Sequence, residues 1–319
     1  CMGIVFGKVL SIFLIIGVGF VANKCKVLPN SANDFLVDLL ILITSPCMII
    51  TSIASKELTE DTVGISIQVF IGAALYFFIF TLLGFFFFGK ICKFRPKEDV
   101  AVYVMIFVSM NCGFMGFPIT LSLFGNDVLY LMVLINVVHT IYLFPFGNIQ
   151  LNIGRQQGEK SNAKEIFASA VNPCTIAALL GIILLFTGIK LPDFLFSSME
   201  MIGDSTVPLS MLLVGMQLGN SNFARIFKNK KLVAVCSLRM FIVPVIMFFA
   251  LNWLPLAATL KAALIFATCF ASGVGIVPVI SKEGKNSLLA AEGVALTTLL
   301  SMIIIPVSSM FLLTYYGLT

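Results

Sequence analysis

Two glycine-containing polar runs lie inside long apolar segments, and their residue types are suited to holding a small ligand. Residues 111–118 read NCGFMGFP, and residues 272–278 read SGVGIVP. Each ends in proline, which lacks an N–H group and clashes with the preceding turn, so it interrupts a helix. Backbone groups released within a membrane are tolerated only beside protein or a water-filled cavity. Paired interruptions in two halves of a chain are typical of the substrate site of a secondary transporter.

The chemistry that these two runs offer is recognition of a carboxylate. The N-terminal end of a half-helix presents unpaired N–H groups and partial positive charge. Asn111 adds amide donors, Ser109 and Ser272 add hydroxyls, and glycine allows an anion to approach the backbone closely. The glycines in question are Gly113, Gly116, Gly273 and Gly275.

Composition places these runs in a polytopic membrane protein. The chain is 59% hydrophobic and 11% charged, and its mean hydropathy is +1.07, which is typical of a protein with several membrane spans. The net charge of +5 does not indicate nucleic-acid binding, because the basic residues lie in short loops. We therefore expect the lipid bilayer, and no nucleic acid, as a partner.

Apolar stretches of about 20 residues predict an all-α protein of ten transmembrane helices and no soluble domain. Their approximate bounds, numbered 1 to 10, are 4–22, 33–54, 63–88, 99–124, 127–150, 171–188, 200–219, 232–253, 258–281 and 286–314. The charged connection 153–170 divides them into a first repeat over residues 1–152 and a second over 171–319.

Landmarks in the two halves match in order, which predicts an internal duplication. Pro118 aligns with Pro278 and Gly113 with Gly273 at one offset, and further prolines follow within a few residues of it. With five helices per repeat, the halves must insert with opposite topology, as in an inverted repeat. Predicted helices 4 and 9 are the broken ones.

The distribution of lysine and arginine predicts the orientation in the membrane. Most of the 20 basic residues lie in the loops after helices 1, 3, 5, 7 and 9, and cytoplasmic loops carry this excess. We therefore expect a multi-pass protein of the cell inner (plasma) membrane. Both termini would be extracytoplasmic, and the 153–170 connection would be cytoplasmic.

The run from Asn111 to Pro118 resembles the N-x-G-F-x-G-x-P motif of the auxin efflux carrier family, and the resemblance extends over essentially the whole chain. That family includes plant auxin exporters and bacterial permeases for organic acids. The resemblance implies a fold like that of bile-acid sodium symporters. Helices 1, 2, 6 and 7 would form a scaffold domain, and helices 3–5 and 8–10 would form a transport domain. It also implies a substrate carboxylate near Asn111, crossing helices marked by Pro118 and Pro278, elevator-type alternating access, and possible homodimers.

Several ionisable residues are candidates for coupling transport to protons or sodium, for which no other cofactor is expected. His139 in helix 5 is the only histidine, and it either carries a proton or is a neutral partner within the bundle. Glu292 either binds a proton or cation or pairs with a lysine. Asp204 is explained by helix capping or by function, and Asp38 by a charged helix entrance or a proton relay. Arg239 in helix 8 either extends to the cytoplasmic interface or neutralises a substrate carboxylate.

The sequence leaves several other functions open, and each can be compared with the residues at the breaks. A cation exchanger of the same architecture would need acidic residues at the breaks, where this chain has asparagine and serine. A sodium symporter stays open, because backbone carbonyls at a break can coordinate sodium. An enzyme is not expected, because HExxH and GxSxG motifs are absent. A non-transporting receptor is also an alternative. The substrate acid, the transport direction and the coupling ion are not specified.

Overall fold

The computed structural model describes residues 2–27, 29, 31–56, 60–152 and 173–318. These residues form helices joined by turns, with no strand among them. The predicted connection 153–170 lies outside the described residues. The α-helices in the first part of the chain are α1 (Met2–Lys24), α2 (Ser31–Leu39), α3 (Ser45–Ala54), α4 (Glu60–Gly84), α5 (Val100–Val108), α6 (Phe117–Ile141) and α7 (Gly147–Asn152). Those after the connection are α8 (Pro173–Thr187), α9 (Asp193–Asp204), α10 (Thr206–Asn220), α11 (Phe223–Ile226), α12 (Lys230–Ser237), α13 (Val243–Asn252), α14 (Ala258–Thr268), α15 (Ile276–Lys282) and α16 (Ser287–Tyr316).

Along the described ranges, five π-helical turns, which are wider than α-helical turns, adjoin these helices, and a proline follows three of them closely. They span Leu40–Thr44, Phe85–Ile91, Cys112–Gly116, Tyr142–Phe146 and Leu238–Ile242. Pro46, Pro118 and Pro244 each come two residues after such a turn. A proline ring clashes with the carbonyl of the preceding turn and removes one hydrogen bond, and a widened turn accommodates both effects.

Six helical stretches within the described residues are long and apolar enough to cross a membrane. They are Ser31–Ala54, Thr62–Ile91, Lys97–Ile141, Asp193–Asn220, Lys230–Asn252 and Ser287–Tyr316. Three shorter apolar helices cover Leu10–Lys24, Pro173–Thr187 and Ala258–Thr268. A multi-pass, all-helical membrane protein is therefore confirmed. The ten-helix inverted repeat with crossing helices stays a prediction.

The 45-residue stretch Lys97–Ile141 is about twice the length that one crossing needs. It is not one continuous helix. Residues 109–111 are non-helical, and Gly125 has a φ of 77° inside α6, a conformation that glycine adopts without steric cost.

Glycines bring helices from the two halves into backbone contact. A Cβ at Gly215 of α10 would overlap the carbonyl oxygen of Ile16 in α1, and one at Gly219 would lie 2.6 Å from Oδ1 of Asn23. Small residues at a membrane helix interface permit this close approach. In the same way, Gly181 of α8 faces Ile53 of α3. All four helices belong to the predicted scaffold domain, and the division into two domains stays a prediction.

The most deeply buried helices lead into the two predicted breaks. All nine residues of α5 are buried, and most of α14 is buried as well. A helix that is apolar on every side belongs in the interior of a large or membrane protein. The chain therefore carries its interrupted segments to the centre of the helical assembly.

Candidate functional site: two joined helix breaks

Both sequence runs form breaks in the structure. Helix α5 ends at Val108, and Ser109 is extended (φ −67°, ψ 152°) before the chain enters the turn Cys112–Gly116. Helix α14 ends at Thr268, and helical structure resumes only at Ile276. The second break contains the predicted Gly273 and Gly275, whereas the first lies at residues 109–111, just before the glycines and the proline that predicted it.

The two breaks are joined to each other by hydrogen bonds. The N–H of Asn111 donates to the carbonyl oxygen of Ala271 at 2.8 Å. The Gly273 N–H donates to Oγ of Ser109 at 3.2 Å, and Oγ of Ser272 donates to the carbonyl oxygen of Ile106 at 2.6 Å. Backbone groups released by one break are thus satisfied by the other, as a buried location requires. The hydroxyls of Ser109 and Ser272, expected to face substrate, serve this junction.

Asn111 provides a polar group at the junction that remains available. The residue is 4% exposed, yet its side chain does not cap the turn that follows it and forms no hydrogen bond with the described residues. Buried amides normally have partners. The carboxamide therefore has donors and an acceptor free for a ligand.

Gly113, two residues later, has open space beside it. A Cβ at this position would meet no atom within 4 Å. Gly116, Gly273 and Gly275 are different, because a Cβ there would lie 3.3, 2.9 and 2.9 Å from neighbouring atoms. Those three glycines permit close packing, whereas Gly113 leaves room for another molecule next to Asn111.

A cavity of about 550 Å³ lies beside the second break. Its walls include α10, α11, α15 and α16, and Val274 and Pro278 line it. Helix α10 also contacts the turn Cys112–Gly116 of the first break. The volume is in the range of small-molecule sites. Of the two marker prolines, Pro278 is exposed in this cavity and Pro118 is buried.

Arg239 lies at the junction, which corrects the expectation that it extends to the interface. Its exposure is 0%. Its guanidinium donates to the carbonyl oxygens of Thr268 at 3.0 Å and Ala271 at 3.3 Å, and also to that of Ser109. Three carbonyl oxygens converge at the breaks and accept hydrogen bonds from the guanidinium, as a buried charge requires. A single arginine in an apolar helix indicated a special role for this residue. The sequence did not indicate the direction of its side chain.

His139 also lies next to the junction. Its Nε2 accepts a hydrogen bond of 3.4 Å from the N–H of Met110, and its ring stacks on Phe77 at 5.4 Å. Its Cε1 would be 3.1 Å from a Cβ at Gly273. Because Nε2 acts as acceptor, it is unprotonated in this arrangement. A role in coupling stays a prediction.

Glu292 lines the cavity, where it pairs with an arginine rather than with a lysine. Nε of Arg225 is 2.9 Å from Oε1 of Glu292, and the two side chains are 60% and 13% exposed. Both residues line the cavity. An ion pair was one of the two alternatives for Glu292, but its partner is Arg225 rather than a lysine, because α11 brings Arg225 over the second turn of α16. A role of Glu292 in coupling stays a prediction.

Asp204 and Asp38 are not brought to the breaks. Asp204 is the last residue of α9, and the helix that follows begins without a side-chain cap. Capping therefore does not explain Asp204, contrary to expectation. Asp204, Asp38 and Asp34 are all exposed. The part of the chain that the structure describes contains no group of three His, Cys, Asp or Glu residues arranged to hold a metal ion.

Comparison with known proteins gives a consistent result. The family model described as "Membrane transport protein" matches residues 4–309. The chain is similar to the uncharacterized transporter MJ1031 of Methanocaldococcus jannaschii, with 27% identity over 66% of this chain and 68% of the relative. It is also similar to the uncharacterized transporter YfdV of Escherichia coli K12, with 23% identity over 68% of this chain and 69% of the relative.

Proposed function

The chain belongs to the membrane transport protein family of the auxin efflux carriers, and we propose that it is a secondary transporter of a small mono- or dicarboxylate. The observation that carries this proposal is the free carboxamide of Asn111 beside the open space at Gly113, at the junction of two breaks. Amide donors and half-helix N-terminal ends together favour an anion.

The charge of the junction supports an anion over a cation. Arg239 is the charged side chain that contacts both breaks, and the described residues place no carboxylate in an ion pair with it. Arg239 offsets the partial negative charge of the helix C-terminal ends at the breaks, so the N-terminal half-helix ends and the amide of Asn111 leave the junction more favourable to an anion than to a cation. Cation exchange is therefore the weaker candidate for this chain.

We propose that substrate reaches the breaks through the 550 Å³ cavity. Arg225 lines the cavity and lies in the loop after predicted helix 7. The lysine and arginine distribution assigns this loop to the cytoplasm. Both termini would then be extracytoplasmic, in the cell inner membrane. The substrate would pass Val274 and Pro278, which line the cavity, to reach Asn111 at the joined breaks.

Alternating access of the elevator type is the mechanism we propose. Two ion pairs each join a connection of the predicted scaffold to a helix of the predicted transport domain. Lys56 pairs with Asp127, and Arg225 pairs with Glu292. Movement of one domain against the other would break both contacts. Partly exposed pairs of this kind contribute about 0–1 kcal/mol each, so they hold a resting position without preventing motion.

Uptake into proteoliposomes tests this proposal. The purified protein would be reconstituted and offered radiolabelled mono- and dicarboxylates one at a time. We expect saturable uptake of a subset of acids, and no saturable uptake by Asn111→Ala. A receptor would bind an acid without accumulating it. Saturable uptake of sodium or protons with every acid inactive would contradict the proposal.

A further inference from the structure

Arg239 is a permanently charged group at the centre of the assembly, and no acidic residue in the described part of the chain pairs with it. It lies in the turn Leu238–Ile242, between α12 and α13, and is completely buried. Its Nη atoms donate to three carbonyl oxygens, and its Nε finds no partner among the described residues. Arginine does not lose its proton in proteins, so the charge is fixed.

Two of the three carbonyls belong to the C-terminal ends of the half-helices, and the third lies within the second break. Ser109 directly follows α5, Thr268 is the last residue of α14, and Ala271 lies in the second break. The C-terminal end of a helix has unpaired carbonyls and partial negative charge of about half an elementary charge. Two such ends therefore point at a single guanidinium.

Converging carbonyl oxygens are also the ligands that a sodium ion selects. In transporters with broken helices, unwound carbonyls and half-helix C-terminal ends coordinate the coupling cation. In this chain the guanidinium already occupies that oxygen cluster. A metal ion there would compete with a fixed charge only a few ångströms away, and the repulsion in a site of low dielectric is large.

We propose that Arg239 is a built-in cation that takes the place of a coupling sodium ion at the joined breaks. It neutralises both C-terminal ends, positions Asn111 through the carbonyl oxygens of its neighbours, and makes ligand binding at the breaks independent of sodium. Arg239 is thus a positioning residue. Whether Arg239 replaces a cation can be measured by thermal unfolding without any organic acid. Only the further statement, that uptake is independent of sodium, rests on the proposed function.

Thermal unfolding of the purified protein tests the role of Arg239. Melting temperatures would be compared in sodium chloride, choline chloride, and choline chloride with millimolar methylguanidinium. Wild type and Arg239→Lys keep a cation at the junction, so we expect equal melting temperatures in sodium and choline. Arg239→Ala leaves the oxygen cluster empty. We expect it to melt several degrees lower in choline and to recover in part with sodium or methylguanidinium.

Three results would overturn the inference. The first is selective stabilisation of wild type by sodium. The second is an Arg239→Ala protein as stable as wild type in choline. The third is a destabilised Arg239→Ala protein that neither cation restores. If Arg239→Ala does not fold in any salt, the charge-retaining Arg239→Lys decides: it must fold and stay insensitive to sodium, and its failure to fold also contradicts the inference.

Lys261→Ala serves as the matched control. Lys261 is a basic residue in the first turn of α14 and is partly exposed. Its removal takes away one positive charge from the helix that ends at Thr268, without touching the junction. We expect no sodium or methylguanidinium effect in this variant. A cation effect equal to that of Arg239→Ala would show a general response to net charge and contradict the assignment.

Discussion

The N–H of Asn111 donates a 2.8 Å hydrogen bond to the carbonyl oxygen of Ala271, so the centres of the two helix breaks are in direct contact. This bond fixes the backbone of Asn111 and leaves its carboxamide free. A preorganised polar group costs little reorganisation when a ligand binds. The location of Asn111 on a joined pair of breaks, rather than on one, gives the site this rigidity.

Gly113 gives the most direct test of the space beside Asn111. We expect Gly113→Val to fold and to lose carboxylate binding, because the open space next to this glycine would be filled where an anion approaches the backbone. The matched control is Gly64→Val on α4, where a Cβ also meets no atom within 4 Å. Ligand-dependent melting shifts would measure both variants. Equal loss, or equal retention, in the two variants would contradict the placement of the ligand.

Gly215 tests the packing of α1 on α10. Gly215→Ala places a methyl group against the carbonyl oxygen of Ile16, and overpacking of this kind costs about 1–3 kcal/mol. We expect a lower melting temperature in detergent. Gly17→Ala is the control, because nothing lies within 4 Å of its Cβ, and alanine favours a helix over glycine by about 1 kcal/mol. A Gly215→Ala protein as stable as Gly17→Ala would disprove the close contact.

Glu292 distinguishes an ion pair from a proton carrier. In Glu292→Gln the pair with Arg225 is lost, so we expect a small drop in stability and a changed uptake rate. The pH profile of uptake should stay the same, because the carboxylate serves the ion pair with Arg225. Asp204→Asn, an exposed acid outside the cavity, should change neither. A flattened pH profile in Glu292→Gln alone would assign proton coupling to Glu292 instead.

The helix breaks could be predicted from the residues at each break, whereas the directions of long side chains could not be predicted from the sequence. Glycine and proline act on the backbone near them, so NCGFMGFP and SGVGIVP located both interruptions to within a few residues. Arg239 was misplaced, because its partners at Ser109 and Thr268 come from two other helices. The same reason explains Glu292, whose partner Arg225 is provided by the short helix α11 that hydropathy did not reveal. Contacts between distant segments depend on packing, and no periodicity encodes them.

The hydrogen bonds of the serine hydroxyls also depend on contacts between distant segments, which the sequence does not reveal. Sequence reasoning assigned Ser109 and Ser272 to the substrate because hydroxyls near a break are suitable donors. In the structure, Ser109 accepts from Gly273 and Ser272 donates to Ile106. Each break exposes backbone groups that must be paired, and the nearest hydroxyls of the other break meet that need first. Asn111 has a longer polar side chain, and it remains free.

The central claim, that Asn111 at the joined breaks binds an organic anion, is tested most directly by ligand-dependent thermal unfolding. The wild type, Asn111→Ala and Gln68→Ala would be screened against mono- and dicarboxylates in choline chloride. Gln68 is the control, an exposed amide on α4 that belongs to neither break. A ligand that binds only folded protein raises the melting temperature. We predict that the same acid stabilises the wild type and Gln68→Ala and has no effect on Asn111→Ala. Equal stabilisation of Asn111→Ala would contradict the account.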